Sequence, residues 1–179
     1  LETDAQLLVR ILQRVQSPPF GGAAADYVKW ALEVAGVTRA WVFSPWSNFG
    51  TVGVGFVLDA DPTSIFPNAA KVAEVQAYLT DLTRKPVTAT IIVFAPTPKN
   101  LNAAITLTPN VVDVQTAVNK ELDAMLLRVA AVGEVLKLSL IRQAVSNAPG
   151  VTDYVMTSPT ADVIPAVGEL VVRGTTVFS

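Results

Sequence analysis

Two prolines near the middle of this 179-residue sequence constrain the fold more than any other feature. Pro96 and Pro98 lie in the run Ala95–Lys99, between two stretches with the alternating pattern of a β-strand. Proline has no N–H to donate to a central ladder, and closely spaced prolines favour an extended connection. The run therefore predicts a boundary between two domains. Their predicted bounds are residues 21–96 and 97–179, after an N-terminal helix and linker at residues 1–20.

Apolar residues recur at helical or strand spacing on both sides of this boundary, which predicts short elements of both kinds. The predicted helices span residues 4–16, 23–34, 68–85, 108–132 and 139–148, and the predicted strands span 37–43, 51–58, 87–94, 101–107, 151–157 and 168–178. Asn68 and Thr108 suit the N-cap positions of two helices, and the loop Pro45–Gly50 suits a β-hairpin. The predicted fold class is α+β, with two small two-layer α/β subdomains whose short sheets are mainly antiparallel or mixed, preceded by an N-terminal helix.

The charge of the chain argues against electrostatic partners. Thirteen basic and fifteen acidic residues give a formal charge of −2, which is not the strongly basic surface of a nucleic-acid-binding protein. The longest uncharged stretch, Ala40–Leu58, is interrupted by serine, proline, asparagine and glycine, so it indicates two strands rather than a membrane span. The chain begins at Leu1 without a methionine or a leader, so we expect a fragment of a longer protein.

The composition also excludes several kinds of chemistry. The sequence contains no cysteine and no histidine, so it has no thiolate nucleophile, no disulfide, no zinc site of the usual kind and no Ser-His-Asp triad. Asp59 and Asp61 follow a strand and offer two oxygen ligands for Mg²⁺ or Ca²⁺. The turn at Asp61-Pro62 is the better explanation of these residues, and a metal-dependent hydrolase is the third-ranked hypothesis. We predict no cofactor, no metal site and no enzymatic activity.

Three tryptophans fall within 17 residues and raise the question of a binding surface. The favoured interpretation places Trp30 and Trp41 in the core and Trp46 as a cap on the hairpin. The alternative is that Trp46 and Phe49 anchor a partner, since exposed aromatic residues are enriched at interfaces. A non-catalytic carbohydrate- or peptide-binding module that uses the Trp46 hairpin is the second-ranked function.

Two decapeptides in the sequence are alike. GVTRAWVFSP at residues 36–45 and GVTDYVMTSP at residues 150–159 agree at five of ten positions, and each follows a predicted short helix. The similarity reflects either a duplication or the shared requirements of a helix-glycine-strand corner. Both interpretations favour two small α+β units.

Several motifs, in order along the chain, resemble the baseplate J-like proteins of Mu-like and P2-like contractile phage tails. GGAAADYVKWALEVAGVTRAWV at residues 21–42 resembles one segment of that family, and KPVTAT, VFAPTP, LSLIRQAVSNAPGV and GELVVRGTTVF resemble its closing region. The chain is thus identified as a member of this family, corresponding to its C-terminal portion. The positions that carry the resemblance are Gly21, Gly22, Asp26, Tyr27, Trp30, Ala31, Gly36, Val37, Pro96, Pro98, Gly150, Gly168 and Leu170.

The resemblance implies a structural wedge component of the tail baseplate, not an enzyme. It implies contacts with other copies of the chain and with other wedge and hub proteins, without nucleic acid and without membrane insertion. It also implies a location in the baseplate of the virion tail, with assembly in the cytoplasm of the bacterial host.

Overall fold

The computed structural model describes residues 22–81 and 89–179, which divide into two compact units between Ala95 and Pro96. The first unit contains helices α1 (Ala24–Glu33) and α2 (Ala69–Leu79) and strands β1 (Arg39–Phe43), β2 (Thr51–Val57) and β3 (Thr90–Phe94). The second contains strand β4 (Thr97–Thr108), helices α3 (Val112–Val129) and α4 (Leu138–Asn147), and strands β5 (Asp153–Ser158) and β6 (Glu169–Phe178). These elements confirm the predicted α+β class. The helix predicted at residues 4–16 lies outside the described residues.

The first unit is a three-stranded mixed sheet with two helices on one face. Strand β2 lies in the centre, antiparallel to β1 and parallel to β3. Helix α1 packs on β1, and α2 packs on β3. The core between helices and sheet includes Tyr27, Ala31, Val54, Phe56, Val75 and Leu79, each at most 1% exposed.

Local chemistry explains where the helices of the first unit begin and end. The Asp26 carboxylate accepts hydrogen bonds from the N–H groups of Gly22 and Ala23 at 3.3 Å each, which satisfies donors at the start of α1. Gly36 follows α1 with a φ of +85°, in the left-handed region that favours glycine. The Asn68 side chain accepts a 2.9 Å hydrogen bond from the N–H of Lys71, so the predicted N-cap of α2 is confirmed.

The second unit is also a three-stranded mixed sheet with two helices on one face. Strand β4 lies in the centre, antiparallel to β5 and parallel to β6. Helix α3 packs on β6, and α4 packs on β5. Its core includes Leu101, Ile105, Leu122, Met125 and Ile141, each at most 2% exposed.

Strand β4 begins at Thr97 rather than Leu101, so Pro98 lies inside a strand that the sequence analysis started only after the prolines. The N–H of Thr97 donates to the carbonyl of Gly168 at the start of β6. The nitrogen of the next residue therefore points away from β6, and β5 pairs with β4 only from Ala104 onward. Pro98 thus occupies a position where no ladder donor is needed.

Helix α3 begins later than predicted. Its N-cap is Val111, which makes no side-chain cap hydrogen bond. Thr108 is instead the last residue of β4, and its carbonyl accepts hydrogen bonds from the N–H and hydroxyl of Thr152. The predicted Thr108 cap was therefore wrong, because pairing with the segment before β5 extends the strand through this residue.

The two similar decapeptides occupy equivalent places in the two units. Gly36 and Gly150 both have left-handed φ values, +85° and +87°, and the strands that follow, β1 and β5, are both edge strands antiparallel to the central strand. The opposite edge strand is parallel to the centre in each unit. The chain order differs, because the central strand follows β1 in the first unit but precedes α4 in the second.

Candidate interaction surface

On the face of the first sheet opposite the helices, aromatic side chains pack over glycine residues of the central strand β2. Trp41 and Phe43 of β1 lie opposite Gly55 and Gly53 of β2, and Phe94 of β3 lies opposite Gly55. A Cβ atom on Gly55 would come within 2.8 Å of the Phe94 ring. Glycine at this position therefore leaves the space that the ring occupies.

The loop between β1 and β2 folds back onto this face. Its Trp46 ring stacks on Phe94 with centroids 4.2 Å apart and planes 13° apart, and it contacts Phe43 at 5.4 Å. A Cβ atom on Gly53 would lie only 2.5 to 2.8 Å from three atoms of the Trp46 ring. Trp46 therefore covers this face of the sheet. Its ring stacks on Phe94 and lies directly against Gly53.

The tip of the same hairpin presents a single aromatic residue to solvent. Phe49 is 98% exposed. The turn around it is held by Thr51, whose hydroxyl accepts hydrogen bonds from the N–H groups of Ser47 and Asn48. Gly50 follows with a φ of +80°. The structure thus separates the two predicted interface residues, since Trp46 packs inward and Phe49 points away from the protein.

The other two tryptophans differ in their environments. Trp30 packs against the core and meets Tyr27 edge to face, with centroids 5.4 Å apart. Trp41 lies on the opposite face of the sheet, where the Arg39 guanidinium sits 5.2 Å from its ring centroid. The prediction that Trp41 is a core residue was therefore wrong, because the register of β1 directs it away from the helices.

Asp59, one of the two carboxylates considered as metal ligands, is held by Arg39. Two hydrogen bonds of 2.7 and 2.8 Å join the guanidinium to both carboxylate oxygens, and the Thr38 hydroxyl donates a third. Burial alone would raise the pKa of the Asp59 carboxyl, but the hydrogen bonds from Arg39 and Thr38 and the charge of Arg39 outweigh it and lower the pKa below its ordinary value. Asp61 instead closes its own turn by accepting from the N–H of Thr63. The two carboxylates therefore act separately.

The residues of the family motif have roles in forming the fold. Tyr27, Ala31, Val37 and Leu170 are buried, and Gly22, Gly36, Gly150 and Gly168 have left-handed backbone angles. Pro96 is buried where the second unit begins. Gly21 lies outside the described residues.

Two glycines of β2 are a sequence signal for this aromatic face that the sequence analysis did not use. Gly53 and Gly55 alternate within β2, and glycines in a strand mark the close approach of another group. Phe43 and Phe94 supply that group together with Trp46.

In residues 22–81 and 89–179, no group of three or more side chains with metal-ligating atoms converges on a common point. None of the helices in the same residues is both long enough and apolar enough to cross a bilayer.

Comparison with known families gives two matches in sequence order. Residues 19–95 match the family model of the baseplate J-like central domain. Residues 99–179 match that of the baseplate J-like protein C-terminal domain.

Individual proteins match along most of the chain. The Mu-like prophage FluMu protein gp47 of Haemophilus influenzae is 43% identical, over 91% of this chain and 48% of the relative. The baseplate protein gp47 of Escherichia phage Mu is 40% identical, over 89% and 46%. The chain thus spans about half the length of these relatives. Among solved structures, a chain in the cryo-EM structure of the 6-fold symmetrised baseplate of the anti-feeding prophage shares the fold with a TM-score of 0.50 and 15% identity, over 87% of this chain and 40% of that chain.

Proposed function

Because this chain belongs to the baseplate J-like family, we propose that it is part of a structural wedge component in the tail baseplate of a contractile phage or prophage. The ordered match of both domain models carries the proposal. It is supported by the baseplate protein of phage Mu among the relatives and by the fold shared with a prophage baseplate chain. The role is proposed to be non-catalytic, and the protein to be assembled in the host cytoplasm.

The proposed partners are other copies of the chain and other wedge or hub proteins of the baseplate. Assembly into such a structure requires surfaces that neighbours can bury without strong repulsion. A formal charge of −2 over 179 residues meets that requirement. We propose that the hairpin tip, residues 47–50, is one of these surfaces.

Phe49 is the residue of the tip proposed to bind a neighbour. A phenylalanine that is 98% exposed contributes little to the stability of the isolated protein, whereas an aromatic side chain buried against a partner is a common interface hot spot. Hydrogen bonds to Thr51 hold the turn, which reduces the entropy lost on binding.

Replacing Phe49 with alanine is expected to change the free energy of unfolding by less than about 0.5 kcal/mol, because the ring makes few contacts in the monomer. The same change is expected to weaken the contact about 30-fold, the factor that corresponds to a typical hot spot of about 2 kcal/mol, and so to reduce the yield of complete tails. The yield is measured by electron microscopy of particles from cells that carry the variant gene.

Leu32→Ala is the control, because Leu32 is also an exposed apolar residue, at 44%, but lies on α1. It should leave the yield of tails unchanged. Normal tail assembly by Phe49→Ala would show that the hairpin tip is not an interface.

A further inference from the structure

The second unit has a sheet face without helices that its own side chains leave open. We call it the open face, and it is formed by Ala104, Thr106, Val155, Thr157, Thr175 and Val177. Val155 and Val177 are 59% and 57% exposed, although valine is one of the residues most often buried in folded proteins. The register places both of them beside the central strand β4.

The open face and the hairpin tip are both uncharged surfaces. None of the six residues of the open face is ionisable, and none of the residues from Ala40 to Leu58 is either. Contact between the two would therefore bury apolar and hydroxyl groups without desolvating a charge. The small side chains at Ala104 and Thr106 leave a shallow surface on which an aromatic ring can lie.

The first unit shows how a sheet face of this kind is covered. Thr106 lies opposite Val155 as Gly55 lies opposite Trp41, so the two faces correspond at this pair, beyond which β4 and β5 shift register. In the first unit the segment after the edge strand supplies the Trp46 ring as a cover. In the second unit the segment after β5 runs instead to the loop before α4, where its Val163 pairs with Leu136 in an isolated antiparallel β-bridge. Among the residues that the structure describes, none therefore covers the open face as Trp46 covers its counterpart.

We propose that Phe49 of one copy of the chain packs on the open face of a second copy. The proposal rests on the proposed function, in which copies of the chain meet in a baseplate. Each copy would present a hairpin tip to one neighbour and an open face to another, so the contact is heterologous and can repeat around a ring. Exposed apolar area at both sites is then buried by the same contact.

The absence of cysteine from the chain allows a direct test by disulfide crosslinking. Two single variants, Asn48→Cys beside the retained Phe49 ring and Val177→Cys on the open face, are purified, mixed and oxidised, and the same pair is combined in one chain for tails assembled in cells. Both substitutions are at exposed positions and should leave the fold and the Phe49 ring in place. The control pair is Leu32→Cys with Val177→Cys.

The mixed variants are expected to give a disulfide-linked dimer at a level at least about tenfold above the control pair, because the contact raises the effective concentration of the two thiols. The double variant is expected to give a ladder of multimers in tails, and each single variant alone should give no dimer.

Two results would overturn the proposal. One is a level of dimer no higher than in the control pair, and the other is a dimer formed by Asn48→Cys alone, which would indicate a symmetric contact between tips. If the chain is present in purified tails but no ladder forms, the inference fails while the proposed function stands. If the chain is absent from tails, the proposed function fails.

Discussion

Replacing Phe56 with alanine is expected to lower the free energy of unfolding of the first unit by about 3–5 kcal/mol. Phe56 lies in the central strand β2 with none of its surface exposed, between the sheet and both helices of that unit. Removing the ring leaves a cavity that the surrounding strands cannot close without breaking their pairing. Chemical denaturation followed by circular dichroism measures the change.

The matched control is Phe49→Ala, the same substitution at a position that is 98% exposed, which is expected to leave the free energy of unfolding almost unchanged.

We also propose that the predicted domains, residues 21–96 and 97–179, fold separately, since each unit has a core of its own. Leu122→Ala should then destabilise only the second unit. A single transition that both core substitutions shift equally would contradict separate folding.

Replacing Gly53 with alanine is the second change with a large expected effect, a destabilisation of about 1–3 kcal/mol. Glycine in a strand is ordinarily less favourable than alanine, so without a steric conflict this substitution would be neutral or stabilising. Here the added methyl group would meet the Trp46 ring at about 2.5 Å, and the ring must leave its stack on Phe94. Denaturation measures the loss of stability, and tryptophan fluorescence reports the displaced ring.

The double variant Gly53→Ala with Trp46→Ala distinguishes this cause from a general effect on the strand. Once the ring is absent the methyl group has space, so the two substitutions should be less destabilising together than the sum of their separate effects. Additive effects would show that Trp46 does not lie on Gly53.

Much of the secondary structure could be predicted from the sequence because its signals are local. The apolar spacing at Tyr27 and Ala31 and the cap at Asn68 depend only on nearby residues, and the structure has α1 and α2 there. The alternation of Leu101, Ala103, Ile105 and Leu107 likewise marks the buried side of β4.

The candidate surface was only partly predictable, because it depends on pairing between distant segments. The clustering of the tryptophans in the sequence marks Trp41 and Trp46 as notable but does not show which face of the sheet each one covers. That is decided by the register of β1 on β2, and a shift of one residue would exchange the faces. The extension of β4 through Pro98 likewise depends on pairing with β6, 72 positions further along the chain.

The location of the chain in a virus particle is the most direct test of its proposed role. Purified tails are labelled with an antibody against residues 97–179, coupled to gold, and viewed by electron microscopy. The account predicts label at one end of the tail, at the baseplate. Label along the sheath, or tails that carry none although the antibody recognises the denatured chain in the same cells, would contradict it.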